Sequence, residues 1–164
     1  MQQHTAFAPV VDERVCVLIL GSLPGAESLR AGRYYANPRN AFWRLASDLT
    51  GRDLVPAPYP ARLAALLKVG IGLWDVIASA RRRGSLDADI RAARHADIGD
   101  LVGRLPALLA IGFNGRKASI SGRRLLRGLD RQPVLIDLPS SSPAHAAMSL
   151  NEKRARWSVL KDHL

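Results

Sequence analysis

The chain has 164 residues, 48% of them hydrophobic, and a formal net charge of +10. That length suits one domain with a core of its own, and the lack of any run of about 18 apolar residues excludes a membrane-spanning helix. Cys16 is the only cysteine, which excludes an internal disulfide and a cysteine-held zinc or iron–sulfur centre. A reducing cytoplasm is the expected compartment. Of the 24 cationic residues, 20 are arginines and only Lys68, Lys117, Lys153 and Lys161 are lysines. Arginine forks onto phosphates and stacks on bases, so the balance points to a polyanionic partner. The competing explanation is a GC-rich genome, which enriches arginine and alanine without any function.

Residues 1–13 read as a loose lead-in with no charged-then-apolar signal pattern. A first strand is predicted over Arg14 to Leu20, where Val17-Leu18-Ile19-Leu20 has no polar face and suits a position buried on both sides. It stops at Gly21-Ser22-Leu23-Pro24-Gly25, a turn whose glycines permit close approach. A short helix begins near Ala26, with Glu27 at its positive end. The block Tyr35-Ala36-Asn37-Pro38-Arg39-Asn40-Ala41-Phe42-Trp43 then gathers three of the chain's nine aromatics beside amides and an arginine. Such a mixture is the material of a pocket for a flat polar ligand. Asn40 opens a helix through Phe42, Leu45 and Leu49 that ends at Thr50-Gly51.

Asp53 to Pro60 is a proline-rich loop, Ala61 to Lys68 a helix, and Val69 to Trp74 a second strand with Asp75 at its end. Arg81 to Asp89 reads as a polar excursion. Ile98, Leu101, Val102 and Leu105 have helical spacing. A third strand, Leu108 to Ile111, precedes Gly112-Phe113-Asn114-Gly115 and a basic helix through Arg123, Arg124 and Arg127. The fourth strand, Pro133 to Leu138, runs into Pro139-Ser140-Ser141-Ser142-Pro143-Ala144-His145. Ser149 with Glu152 forms a capping box for a last helix carrying Trp157, Leu160 and Leu164. Four apolar strands alternating with helices predict an α/β fold over 1–164, a central four-stranded, mainly parallel sheet covered on both faces. Each strand ends in a polar loop, and ligands of such sheets sit at the carboxyl ends of the strands. All the unusual chemistry therefore falls on one edge.

At this point GSLPG, YYANPRNAFW, LWDVIASARRRGSLD and LPSSSPAHA together resemble the uracil-DNA glycosylase superfamily, most closely its hypoxanthine-DNA (deoxyinosine) glycosylase branch. Gly112 to Arg116 and Pro139 to Ser142 also resemble the mismatch-specific thymine/uracil glycosylases. The similarity spans roughly Val17 to Met148. It implies a three-layer α/β/α sandwich that flips a deaminated base, hypoxanthine or uracil, from single- or double-stranded DNA and hydrolyses its glycosidic bond. It also implies a monomer that needs no metal or other cofactor. In relatives the second position of the first motif is an Asp or Asn that positions water, and here it is Ser22. In the hypoxanthine branch an Asn of the second block is assigned that task, and it maps to Asn40. Asn37 stands where that branch often has His. Leu138 replaces the His or Asn that contacts the departing base in several relatives, so stabilisation of that base must come from elsewhere.

Chemically, a base inside a duplex must be extruded before it can be attacked, at a cost of a few kcal/mol. Cleavage then passes through a sugar with oxocarbenium character. Asn40 can orient water through its carbonyl (or merely cap its helix), and Ser22 can help hold the water or a phosphate. Phe42 is the candidate for stacking on the flipped base. Asp75 maps to the Asn with which relatives read the base edge; as a carboxylate it would accept from the lactam N–H that hypoxanthine and uracil share and adenine lacks. Gly21, Leu23, Trp74 and Asn114 complete the expected pocket. Ser140, Ser141, Ser142 and His145 are expected to face DNA, with Arg39, Arg81 and Arg82 as further backbone contacts. No lysine falls in the motifs, which argues against a Schiff base.

Other classes fit less well. The first loop is not the nucleophile elbow G-x-S-x-G, and no phosphate-binding glycine motif follows the first strand. His4, His95, His145 and His163 are too scattered for a metal hydrolase. The serious rival is a catalytically inactive module of the same fold that binds nucleic acid or lesions.

Overall fold

In the computed structural model, which describes residues 2–164, the main sheet grows outward from β2 (Val17–Gly21), whose five residues are all buried. β2 pairs in parallel with β3 (Ile71–Asp75) on one side and β6 (Ala110–Asn114) on the other, and β7 (Val134–Leu138) joins β6. The order is β3-β2-β6-β7. An apolar strand in the middle of such a sheet needs cover on both faces. Val17 and Ile19 enter a cluster with Phe42, Leu45, Leu66 and Trp157, while Leu18 and Leu20 enter another with Ile98, Leu101 and Ala118. The first cluster is roofed by α2 (Phe42–Thr50), α3 (Tyr59–Lys68) and α6 (Leu150–Trp157). The second lies under α4 (Ile98–Gly103) and α5 (Arg116–Leu125). This is the expected three-layer arrangement, with all four predicted strands ending at or just beyond their predicted ends. No helix is long and apolar enough to cross a membrane among the described residues.

Local chemistry sets the helix boundaries as anticipated at two places. Gly51 ends α2 in the left-handed region at φ 69°, where a side chain would be strained. Ser149 and Glu152 make both bonds of a capping box at the start of α6.

Two expectations are corrected. The lead-in 1–13 is not loose: Met1 lies outside the described residues, but Gln2–Thr5 forms β1, antiparallel to β4 (Ile77–Arg82). Val10 makes a bridge with Leu73. Nor is Arg81 to Asp89 merely an excursion, since β4 pairs on its other side with β5 (Arg91–His95) to complete a three-stranded sheet, β1-β4-β5. Ile77, Ala80 and Arg82 are buried along β4 while Arg81 is exposed. A buried arginine at the end of that row breaks the apolar alternation by which a half-buried strand is read. The loop from Arg83 to Ile90 forms a strap that includes a 3-10 turn at Asp87–Asp89.

α5 crosses β6 closely because Gly122 has no side chain; a Cβ there would collide with the ring of the buried Phe113. Alanine would gain roughly 1 kcal/mol of helix propensity. Overpacking costs roughly 1–3 kcal/mol, and the Arg123 guanidinium 5.5 Å from the Phe113 ring centroid limits its retreat. Gly122→Ala is therefore expected to lower the calorimetric midpoint by about 2–6 °C; an unchanged or higher midpoint would refute this packing account.

Candidate functional site

The carboxyl ends of the four parallel strands open into a cavity of about 670 Å³, within the range of small-molecule sites. β2 ends in Gly21 and the turn after it brings Ser22 and Leu23, β3 ends in Asp75, and β6 ends in Asn114. The turn after β7 brings Ser140, Ser141, Ser142 and His145. Glu27 and Ser28 come from α1 (Ala26–Ala31), and Tyr34, Tyr35, Asn37, Arg39 and Asn40 from the loop that follows. The strap closes the remaining side with Ser85, Leu86 and Asp87.

Buried polar contacts fix these loops against one another. The Asn114 amide donates to the Tyr35 hydroxyl at 3.2 Å and to Ser141 Oγ at 2.9 Å, while its Oδ1 accepts from the Ser141 N–H at 2.9 Å. The Ser141 carbonyl accepts from the Ala41 N–H at 2.9 Å. Asn40 Oδ1 accepts from the Phe42 N–H at 2.9 Å, the bond that opens α2. One lone pair of that oxygen stays free for another donor. On the strap side, Ser22 Oγ donates to Asp87 Oδ1 at 2.6 Å, and Ser85 Oγ accepts from the Ala26 N–H at 2.8 Å.

Asp75 forms the floor and is 4% exposed. Its Oδ2 has no hydrogen-bond partner among the described residues. A Cβ on Gly21 would lie 2.6 Å from Asp75 Oδ1 and 3.3 Å from the Tyr35 hydroxyl, so glycine is required for this approach. Burial, reinforced by the negative charge of Asp87 and opposed by Arg82, pushes the Asp75 carboxyl up to about 7. Burial and then the charge of Asp75 also raise Tyr35, against the opposing Asn114 hydrogen bond, so its hydroxyl keeps its proton.

Four expected site residues are corrected by this geometry. Phe42 is fully buried and does not line the cavity. Tyr35 lies over it, with ring centroids 3.9 Å apart and planes at 13°. The aromatic wall is thus Tyr35. Trp74 turns to the opposite side of β3 from Asp75, as successive strand residues must, and its Nε1 donates to the Phe7 carbonyl at 3.0 Å. Arg82 is 1% exposed and cannot reach a phosphate; its guanidinium donates to the carbonyls of Pro24 and Ser85. Arg81 is exposed but outside the cavity lining. The other expected residues come together as anticipated: Ser22, Asn40, Gly21, Leu23, Asp75, Asn114, Arg39, Ser140, Ser141, Ser142 and His145 all line it.

Tyr35 and Asp87 were missed as site residues. Tyr35 stood in the aromatic block, but its left-handed backbone, φ 52°, leaves no mark in the sequence. Asp87 sat in a stretch that reads as solvated surface. Among the described residues no three His, Cys, Asp or Glu side chains gather as a metal-ligating group. The arrangement offers a flat aromatic wall, amide and hydroxyl groups at its edge, and a buried carboxyl below.

The family model of the uracil DNA glycosylase superfamily matches residues 8–162. A Methanosarcina acetivorans protein named hypoxanthine DNA glycosylase is 41% identical over 157 residues, 96% of this chain and 97% of the relative. A Methanosarcina barkeri protein of the same name is 38% identical over 152 residues, covering 93% and 94%. A Methanosarcina acetivorans protein solved by NMR in solution has a TM-score of 0.86 and 39% identity over 98% of both chains. By sequence, by fold and by the polar loops gathered at the strand ends, the chain belongs to the uracil DNA glycosylase superfamily.

Proposed function

We propose that this DNA repair glycosylase removes deaminated bases from DNA, hypoxanthine first and uracil second, by hydrolysis that leaves an abasic site. The observation that carries the reading is the convergence of all four strand-end loops on one cavity large enough to admit a nucleobase. The two relatives named hypoxanthine DNA glycosylase support the first substrate.

In this reading Tyr35 stacks on the flipped base in place of Phe42, and Asp75 and Asn114 meet its polar edge. Asn40 accepts from the attacking water through its free lone pair, with Ser22 beside it. Neither is a base of useful strength, so the rate gain rests on positioning and fixed dipoles. The Ser140–Ser142 turn, His145 and Arg39 take the phosphates around the lesion. Lys153 lies behind that turn with its Nζ donating to the Ser142 carbonyl at 3.4 Å, outside the cavity lining. That placement favours hydrolysis over a Schiff base.

Labelled duplexes containing deoxyinosine, deoxyuridine or a G·T mismatch are expected to yield alkali-labile strands in that order of rate, with deoxyinosine first. Lesion-selective binding with no strand ever becoming alkali-labile would instead identify an inactive binding module. Asn40→Ala is expected to lower single-turnover release by about 100-fold or more while keeping DNA affinity; full activity would remove Asn40 from the mechanism. Arg39→Ala should leave the single-turnover rate at saturating enzyme unchanged. It should reduce the slope of log K against log salt by about 1, and an unaltered slope would remove Arg39 from the phosphate contacts.

A further inference from the structure

The sequence gives Asp75 the part of an ionised acceptor, yet its surroundings do not suit a negative charge. A buried carboxylate needs donors or a cation to replace its water. Asp75 Oδ2 has none among the described residues. The cation nearby, Arg82, directs its Nη atoms to the Pro24 and Ser85 carbonyls instead. Asp87 adds a second carboxylate whose Oδ1 is held by Ser22. The Tyr35 hydroxyl faces the site still protonated, the Tyr34 hydroxyl donates to the Ala8 carbonyl instead, and Glu27, Arg39 and His145 stand on the cavity wall. Leu138, apolar and 4% exposed, offers no donor to a departing base.

We propose that Asp75 acts as a neutral carboxylic acid whose O–H donates to the carbonyl oxygen of the flipped lactam base and takes up the negative charge that develops there. This rests on the glycosylase reading above. The C1′–N bond breaks with its electron pair leaving on the base. The water oxygen bonds to C1′, and the proton that water releases ends on the departed base. Asp75 keeps its own proton; its hydrogen bond strengthens as the base oxygen gains charge. A carboxylic acid held neutral near pH 7 by an apolar, like-charged setting is an established way to make such a donor. The ionised form would both lose the donor and repel the leaving base. An asparagine at this position carries a donor that does not titrate.

The sign of the pH effect follows. Raising the pH through about 7 removes the proton, so base release on the alkaline side falls. With enzyme below its Kd, wild-type single-turnover release from deoxyinosine duplexes should fall about 50-fold between pH 7 and pH 9, the loss of one proton. Asp75→Asn should release base at pH 6 and stay flat over that range, whereas Asp75→Ala should be about 100-fold slower than Asp75→Asn at every pH, with an equally flat profile. Asp87→Asn should shift the wild-type alkaline limb to lower pH, since it removes a like charge. A carbon-13 titration of the Asp75 carboxyl reads the same proton without activity. An ionised carboxyl at pH 6, a flat wild-type profile, or an Asp75→Asn variant as slow as Asp75→Ala would each overturn the proposal. No base release by wild type from any lesion would instead overturn the glycosylase reading, and this role with it.

Discussion

The cavity holds its shape because of one buried side-chain amide. Asn114 stands at the end of a central strand that is paired in parallel on both sides, its own register partner being Leu138 of β7. Its three hydrogen bonds reach Tyr35 in the loop before α2 and Ser141 in the turn after β7. Ser141 in turn accepts from the Ala41 N–H at the head of α2. An unpaired buried polar group costs roughly 1–3 kcal/mol, so each partner constrains the other two. Loops that would otherwise sample many conformations are thereby held at the edge of a rigid sheet. Positioned groups, rather than strong acids or bases, are what a hydrolysis by oriented water requires.

A second constraint comes from charges kept inside. Arg82 sits beneath the strap, clamping the Pro24 carbonyl of the first loop to the Ser85 carbonyl of the strap. Replacing its hydration with two carbonyls and two nearby carboxylates leaves Nε unpartnered among the described residues. Such a buried cation is weak evidence of stability by itself. Its effect is on geometry and field: it holds the wall against which Ser22 and Asp87 meet, and it moderates the repulsion between Asp87 and Asp75. The chain as a whole is strongly basic, while the residues around the cavity floor are arranged by an interior balance in which carboxylates outnumber the one buried arginine.

The central sheet was legible because its strands are uninterrupted apolar runs, each followed by a polar loop. Four such runs leave few other arrangements, and the loops then share an edge by topology alone. The second sheet was not legible. β1 and β5 are exposed and polar, and in β4 the arginine row conceals which residues face inward. The same limitation misplaced single residues. Trp74 precedes Asp75 by one position and so points to the other face. Phe42 and Tyr35 belong to one aromatic block, and only the stacking order, set by backbone angles, decides which ring meets the cavity. Asn114 and Ser141 were named for the site, but that they bond one another could not be read from residues 27 positions apart in the chain.

Tyr35 shows how much the site depends on an unfavourable local conformation. A non-glycine residue at φ 52° carries roughly 1–3 kcal/mol of strain unless its surroundings hold it there. Here they do so from two directions. The ring lies flat on Phe42, itself locked edge-on against Trp157 at 5.9 Å, and the hydroxyl accepts from Asn114. The turn aims one residue's apolar face and its polar tip at different parts of the same cavity. Phenylalanine in that place would keep the stack and leave an Asn114 N–H without its partner; a smaller residue would open the wall onto Phe42. The left-handed turn, the stack and the amide bond therefore form one unit, and together they explain why a tyrosine occupies the position where the cavity wall meets the buried hydrogen-bond network.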